Sequence, residues 1–205
     1  ARLASLVHER LAGRPLAHLT GRQRFMGLEM LASPEALVPR EETELLGRAA
    51  LARLRAAAAA RGEALVLDAC TGSGNLALAL AAGEPRARVV GADLSPAAVA
   101  LAWRNARHLG LADRAGFVAG DLLAPFDSPG PGGGADLVTC NPPYISSARV
   151  DAMAGEIRDH EPRLAFDGGP FGIGILARLI DEAPRVLRPG GVLAFEVGLG
   201  QGPGI

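Results

Sequence analysis

The chain contains no lysine, and all 21 of its basic residues are arginine. That absence excludes a P-loop lysine, a Schiff-base lysine and the Tyr/Lys pair of short-chain dehydrogenases. Cysteine is scarce: Cys70 and Cys140 are too few for a disulfide scaffold and are expected to be free thiols. Neither they nor His8, His18, His108 and His160 show the spacing of a zinc site, so no metal is expected. No apolar run approaches the roughly 18 residues that span a bilayer, and no charged-then-apolar leader opens the sequence. A soluble protein of the cytoplasm is the default expectation. An excess of either charge is lacking too, with 21 basic and 22 acidic residues. A net charge of −1 argues against a broad basic surface for collecting nucleic acid.

What is present is apolar: 49% of the 205 residues are hydrophobic, enough for one good core and a small appendage. A short helix is expected from Leu3 to Ala12, stopped by Gly13. Two short strands follow, Phe25 to Leu31 and Ala36 to Val38, with Ser33 and Pro34 turning between them. From Glu41 to Arg61, Leu45, Leu46, Ala49, Leu51, Ala52 and Leu54 recur at helical spacing, and Gly62 ends the run.

Beyond Gly62 the pattern alternates between strand and helix. Strands are expected at Ala64 to Leu67, Arg88 to Ala92, Gly116 to Ala119, Ala135 to Cys140 and Val192 to Val197, the last after a Pro189, Gly190, Gly191 turn. Helices are expected at Asn75 to Ala82, from Ser95 as N-cap and Pro96 to about Leu109, and at Ile173 to Leu187, where Pro184 should kink or split the helix. Ser128 to Gly134 is Pro and Gly after its first residue and is expected to be a surface loop. Such alternation of apolar elements predicts an α/β fold, a parallel sheet covered on both faces. Ligands of such sheets bind beyond the carboxyl ends of the strands, where Asp68, Asp93, Asp121 and Asn141 fall.

Two motifs on that rim carry chemistry. After the first strand of the alternation come Asp68, Ala69, Cys70, Thr71, Gly72, Ser73 and Gly74, whose glycines allow a tight turn and close approach of a ligand to the backbone. Gly72, Gly74 and Ala77 also fit a dinucleotide fingerprint, with Asp93 where a ribose-binding acid belongs. The options are a nicotinamide or flavin nucleotide, S-adenosylmethionine, or a structural turn. Asp68 suits a cationic or amino-bearing ligand and would repel pyrophosphate, which favours S-adenosylmethionine. The second motif is Asn141, Pro142, Pro143, Tyr144. Asn carries an amide acceptor, and prolines offer carbonyls without N–H groups, which suits the gripping of a planar NH₂; an ordinary Asn-Pro turn is the alternative. Together the motifs read as methyl transfer to nitrogen.

These residues resemble the HemK family of protein-glutamine methyltransferases over most of the chain. The resemblance rests on Gly13 to Leu16, Leu19 to Gly21, Phe25, Gly27 and Leu28, on Val38 to Arg40 and Glu42 to Glu44, and on the Thr71 to Gly74 loop. Asp93 to Pro96, Asn105, Asn141 to Tyr144, Glu161 to Ala165, Asp167 to Gly169, Glu196, Gly198 and Gln201 extend it. It implies a Rossmann-like class I S-adenosylmethionine-dependent methyltransferase fold, acting on the Gly-Gly-Gln glutamine of peptide chain release factors. A sister group modifies a glutamine of a large-subunit ribosomal protein. Thr43 and Glu44 look like the release-factor group; Cys70 is often found in the ribosomal one. Glu41 and Phe171 replace a usual Pro and a common acid.

The family carries an N-terminal helical domain and a final strand pair, so residues 1–40 are expected to be a remnant of a substrate-binding region and 41–205 the methyltransferase domain. The resemblance assigns the glutamine amide to Asn141, Pro142, Pro143 and Tyr144. It assigns the cofactor to Asp68, Cys70, Thr71, Gly72, Ser73, Gly74, Asp93, Leu94, Asp121, Leu122 and Asn141, with Phe25, Glu42 and Thr43 closing the substrate side. A monomer is expected, with a release factor as partner and without direct nucleic acid binding. An adenine amine methyltransferase and a non-catalytic cofactor-binding domain are the competing readings.

Overall fold

The run Ala64–Ala69 has five of its six residues buried and forms the central strand of a five-stranded sheet in the computed structural model, which describes residues 2–126, 134–153 and 160–205. In chain order the first elements are α1 (Arg2–Leu11), α2 (Leu16–Thr20), β1 (Arg22–Phe25), β2 (Leu28–Leu31) and α3 (Glu41–Arg61). Then follow β3 (Ala64–Ala69), α4 (Asn75–Gly83), β4 (Ala87–Asp93), α5 (Pro96–His108), β5 (Ala115–Ala119) and β6 (Ala135–Cys140). The last elements are α6 (Ser147–Asp151), α7 (Gly174–Val186) and β7 (Leu187–Phe195). The sheet order is β5-β4-β3-β6-β7 and every pairing in it is parallel. Chain order reverses between β3 and β6, so the crevice beyond their carboxyl ends is the topological switch point.

Helix α5 starts as its sequence dictates: the Ser95 side chain accepts the N–H of Ala98, and Pro96 takes the first turn. Helix α3 ends at Gly62, which adopts φ 85°. Its buried stripe is Thr43, Gly47, Ala50, Leu54 and Ala58, while Leu45 is exposed. Small residues on that stripe let neighbours approach closely. A Cβ on Gly47 would stand 2.3 Å from the Met26 sulfur, which seats the β1–β2 turn directly on α3.

That turn corrects an expectation. Phe25 to Leu31 is not one strand paired with Ala36 to Val38; it holds the end of β1, a turn at Met26 and Gly27, and β2, with Phe25 opposite Leu28. Met26 and Gly27 both have positive φ, 46° and 83°, the combination whose twist matches a two-residue hairpin. The hairpin remains, shifted toward the N-terminus, and Phe25 and Met30 enter the main core with α3, α4 and the sheet. Residues 36–38 form no strand.

Two further corrections lie near the end of the chain. Helix α7 is not split: it runs unbroken through Pro184, which sits in its last turn, so that one missing N–H interrupts little of the ladder. Pro189, Gly190 and Gly191 do not precede β7; they lie inside it, at a register shift between its pairings with Ala135 and Leu137. A bulge accommodates a residue without a ladder donor and a glycine at φ 80°. The expected loop at Ser128 to Gly134 lies, apart from Gly134, outside the described residues. Among the described residues no helix is long and apolar enough to cross a membrane.

Candidate functional site

The rim at the switch point closes into a cleft of about 1130 Å³ including its open mouth. From the predicted set, Asp68, Cys70, Thr71, Gly72, Asp93, Leu94, Asp121, Leu122, Asn141 and Pro143 line it. Ser73 and Gly74 face away. Ser73 is buried, its hydroxyl accepting from the Gln23 amide at 3.3 Å and its carbonyl from the Asn105 amide at 3.0 Å. Gly74 has φ 78°, and a Cβ there would stand 3.0 Å from Phe117 and 3.1 Å from Ala102, so its role is close packing of α4 on the sheet. Pro142 is buried behind Pro143, and Tyr144 points toward the end of β7 rather than into the cleft.

Asp68 is the penultimate residue of β3, beneath the loop. Its two carboxylate oxygens accept the hydroxyls of Thr71 and Thr139, each at 2.6 Å, and burial pushes its pKa up to about 6 against the lowering effect of those bonds. Asp93 ends β4 and accepts the backbone N–H groups of Gly72 at 2.8 Å and Ser95 at 2.9 Å; burial raises it as well. It therefore ties the loop after β3 to the start of α5. Gly91, two residues earlier on β4, has no room for a side chain, since a Cβ would lie 2.6 Å from both Phe117 and the Thr71 hydroxyl.

Leu94 is 55% exposed at the edge of the cleft, an apolar surface open to it. Leu122 is buried at φ 46°, placing the 121–122 pair as a tight corner after β5. The Asp121 carboxylate turns outward to Arg178 at 2.9 Å. Cys70, at φ 54°, and Cys140 are free thiols at the ends of neighbouring strands, and burial together with Cys70 pushes the Cys140 thiol well above its ordinary value.

Asn141 follows β6 directly. Its side-chain NH₂ donates to the Thr43 hydroxyl at 3.1 Å, Thr43 donates to Glu196 Oε2 at 2.8 Å, and the Tyr144 hydroxyl donates to Glu196 Oε1 at 2.8 Å. Burial and then the Glu196 bond raise the Tyr144 pKa, which keeps its proton in place. Residues from the first turn of α3 and the loop after β6 thus meet at the Glu196 side chain just beyond β7.

Residues outside the predicted rim complete the cleft. Ala36, Leu37 and Pro39 form a strap over it, tied down where Glu161, buried, accepts the N–H of Val38 at 2.9 Å and pairs with Arg40 at 2.7 Å. Ile175 and Leu164 enter from the far side. No periodicity in the sequence points to the strap, because its residues are placed by Glu161 more than 120 positions away. The acidic side chains Glu35, Asp68, Asp93, Asp121 and Asp167 line the cleft, and among the described lining residues there is no Arg or His.

Residues 61–197 match the family model described as a methyltransferase domain. The chain is 44% identical over 199 residues to the release factor glutamine methyltransferase of Moorella thermoacetica, covering 97% of this chain and 67% of that protein. To the release factor glutamine methyltransferase of Geobacter sulfurreducens it is 41% identical over 196 residues, covering 96% and 65%. The chain spans about two thirds of the length of these curated relatives. Among solved structures, the ribosomal protein L11 methylase of Lactobacillus delbrueckii subsp. bulgaricus superposes with a TM-score of 0.57 at 22% identity, over 84% of this chain and 68% of that one. That likeness concerns the fold: a Rossmann-like methyltransferase sheet of the class I, S-adenosylmethionine-dependent type. By its sequence, the chain belongs to the release factor glutamine methyltransferase family.

Proposed function

We propose that this protein transfers a methyl group from S-adenosylmethionine to the side-chain amide nitrogen of the Gly-Gly-Gln glutamine in a peptide chain release factor. The observation that carries this reading is the cleft's charge: Asp68 and Asp93, which form no ion pair among the described residues, line it beside Asn141 at the switch point, while Glu35, Asp121 and Asp167 are paired with Arg104, Arg178 and Arg163. A pyrophosphate would meet repulsion there, whereas a ligand with an ammonium and a sulfonium meets buried carboxylates. The residues fit the cofactor. Asp68, held by its two threonines, would meet the amino group; Asp93 retains lone pairs for ribose hydroxyls beyond its two backbone bonds; Leu94 and Leu122 would border the adenine. Cys70, Thr71 and Gly72 present backbone along its length.

When bound, that cofactor supplies a methyl group on positively charged sulfur, which takes back the bonding pair as the nitrogen acquires the carbon. The protein's task is to make a poor nucleophile available. An amide nitrogen shares its lone pair with its carbonyl; acceptors at Asn141 Oδ1 and the Pro142 carbonyl take the two N–H bonds and hold the nitrogen toward the methyl. Positioning supplies several kcal/mol of the barrier, and the same acceptors stabilise positive charge developing on nitrogen. No obligatory base is required, because the proton leaves after transfer. Residues 1–40, with the β1–β2 hairpin and the strap, form the substrate side above a methyltransferase domain of residues 41–205. The same reading takes the protein as a cytoplasmic monomer that acts on protein rather than nucleic acid.

The test offers methyl-labelled S-adenosylmethionine with a release factor, a large-subunit ribosomal protein or nucleic acid. Label in the release factor supports the reading, label in the ribosomal protein moves the substrate to the sister group, and label on adenine overturns it.

A further inference from the structure

The chain Asn141, Thr43, Glu196, Tyr144 has a direction. A carboxylate offers acceptors only, and Glu196 receives one hydroxyl proton on each oxygen, from Thr43 at 2.8 Å and from Tyr144 at 2.8 Å. Thr43 has a single proton, and it is spent on Glu196. What Thr43 turns toward Asn141 is therefore a lone pair, and only the NH₂ end of the Asn141 amide can bond to it, at 3.1 Å. The carbonyl end must point the other way. Among the described residues no protein donor bonds to Asn141 Oδ1.

We propose that Glu196 and Thr43 are positioning residues that fix the polarity of the Asn141 amide, so that its oxygen faces the substrate nitrogen. This rests on the functional reading above and deepens it. A flipped Asn141 would present NH₂ and hold a substrate by its carbonyl, leaving the nitrogen unsupported. The contributors come from three elements: Thr43 from the first turn of α3, buried to 1% exposure, Glu196 from the end of β7, and Tyr144 from the loop after β6. The Glu196 N–H donates to the Cys140 carbonyl at 3.0 Å, one residue before Asn141, which locks the carboxylate in register with the side chain it governs. Gln201 braces the same corner, donating to the Tyr144 carbonyl at 3.0 Å and accepting from the Gly198 N–H at 2.8 Å.

The test uses the full chain labelled with nitrogen-15, in which the Asn141 side-chain signals are assigned by their loss in Asn141→Asp. They should exchange slowly with solvent in the wild type and in Thr43→Ser, and at least about tenfold faster in Thr43→Val and Glu196→Leu. Equal exchange in the wild type and Thr43→Val overturns the proposal. With labelled S-adenosylmethionine and a release factor, kcat should fall by at least about tenfold in Thr43→Val and recover in Thr43→Ser, while KM for the cofactor stays within about threefold. An unchanged kcat in Thr43→Val also overturns it, even where glutamine is methylated. A wild type that places no label on glutamine refutes the functional reading instead, and the exchange measurement still decides the polarity. Should Thr43→Val fail to fold, Thr43→Ala serves for both readouts.

Discussion

The Asp93 carboxylate accepts the backbone N–H of Gly72 at 2.8 Å, so the acid at the end of β4 shapes the loop at the end of β3. The proposed cofactor contact of Asp93 would couple binding to the geometry of that loop. Asp93→Ala should weaken S-adenosylmethionine binding by at least about tenfold and lower stability by about 1 to 3 kcal/mol, since two backbone donors lose a charged acceptor. Calorimetry and thermal unfolding measure the two effects; an unchanged cofactor affinity contradicts the assignment.

Asn141→Ala should do the opposite. Turnover should fall by at least about tenfold while cofactor affinity changes by no more than a few-fold, because the lost oxygen serves the substrate amide. Equal losses in both would remove Asn141 from the role given to it.

If Asp68 meets the cofactor as proposed, binding should be sensitive to acid. Its pKa is raised from 3.8 to about 6 in the folded chain, chiefly by burial, with Asp93 adding repulsion. The folded state therefore keeps this proton to higher pH than the unfolded state. Stability from this group is greatest below about pH 4 and declines as pH rises to about 6, by an amount on the order of 2 to 3 kcal/mol. Asp68→Asn should remove that decline, visible as a flatter difference in unfolding free energy between pH 4 and 6. A ligand ammonium favours the ionised form, so cofactor affinity of the wild type should fall as pH drops below about 6, with proton release on binding near pH 5. Affinity independent of pH across this window would contradict the contact.

Gly91→Ala should be costly although glycine in mid-strand is ordinarily replaceable. Its Cβ would meet Phe117 and the Thr71 hydroxyl at 2.6 Å, and overpacking of this kind costs about 1 to 3 kcal/mol. Chemical denaturation checks it, and a variant as stable as the wild type would show that the loop yields freely.

The sequence is most legible where local pattern and buried strand coincide. Ala135 to Cys140 reads correctly to the residue, because all six positions are buried, and Ser95 with Pro96 marks the start of α5 through a real cap. The hairpin is misplaced because Met26, a non-glycine at positive φ, conceals the turn that Gly27 only half announces. β7 begins early because a bulge can absorb Pro189 and two glycines, something no propensity reveals. At the site, strand ends place Asp68, Asp93 and Asn141 from pattern alone. The partnership of Asn141 with Thr43 and Glu196 is invisible to spacing, since 98 and 153 positions separate the bonded pairs and only the folded sheet closes them.

The most direct test of methyl transfer to a glutamine amide is tandem mass spectrometry of a release factor after incubation with this protein and methyl-labelled S-adenosylmethionine. The account predicts a single labelled methyl on the side-chain nitrogen of the Gly-Gly-Gln glutamine, and none when that glutamine is replaced by glutamate. Label that persists after the replacement, or that resides on any other residue, contradicts it.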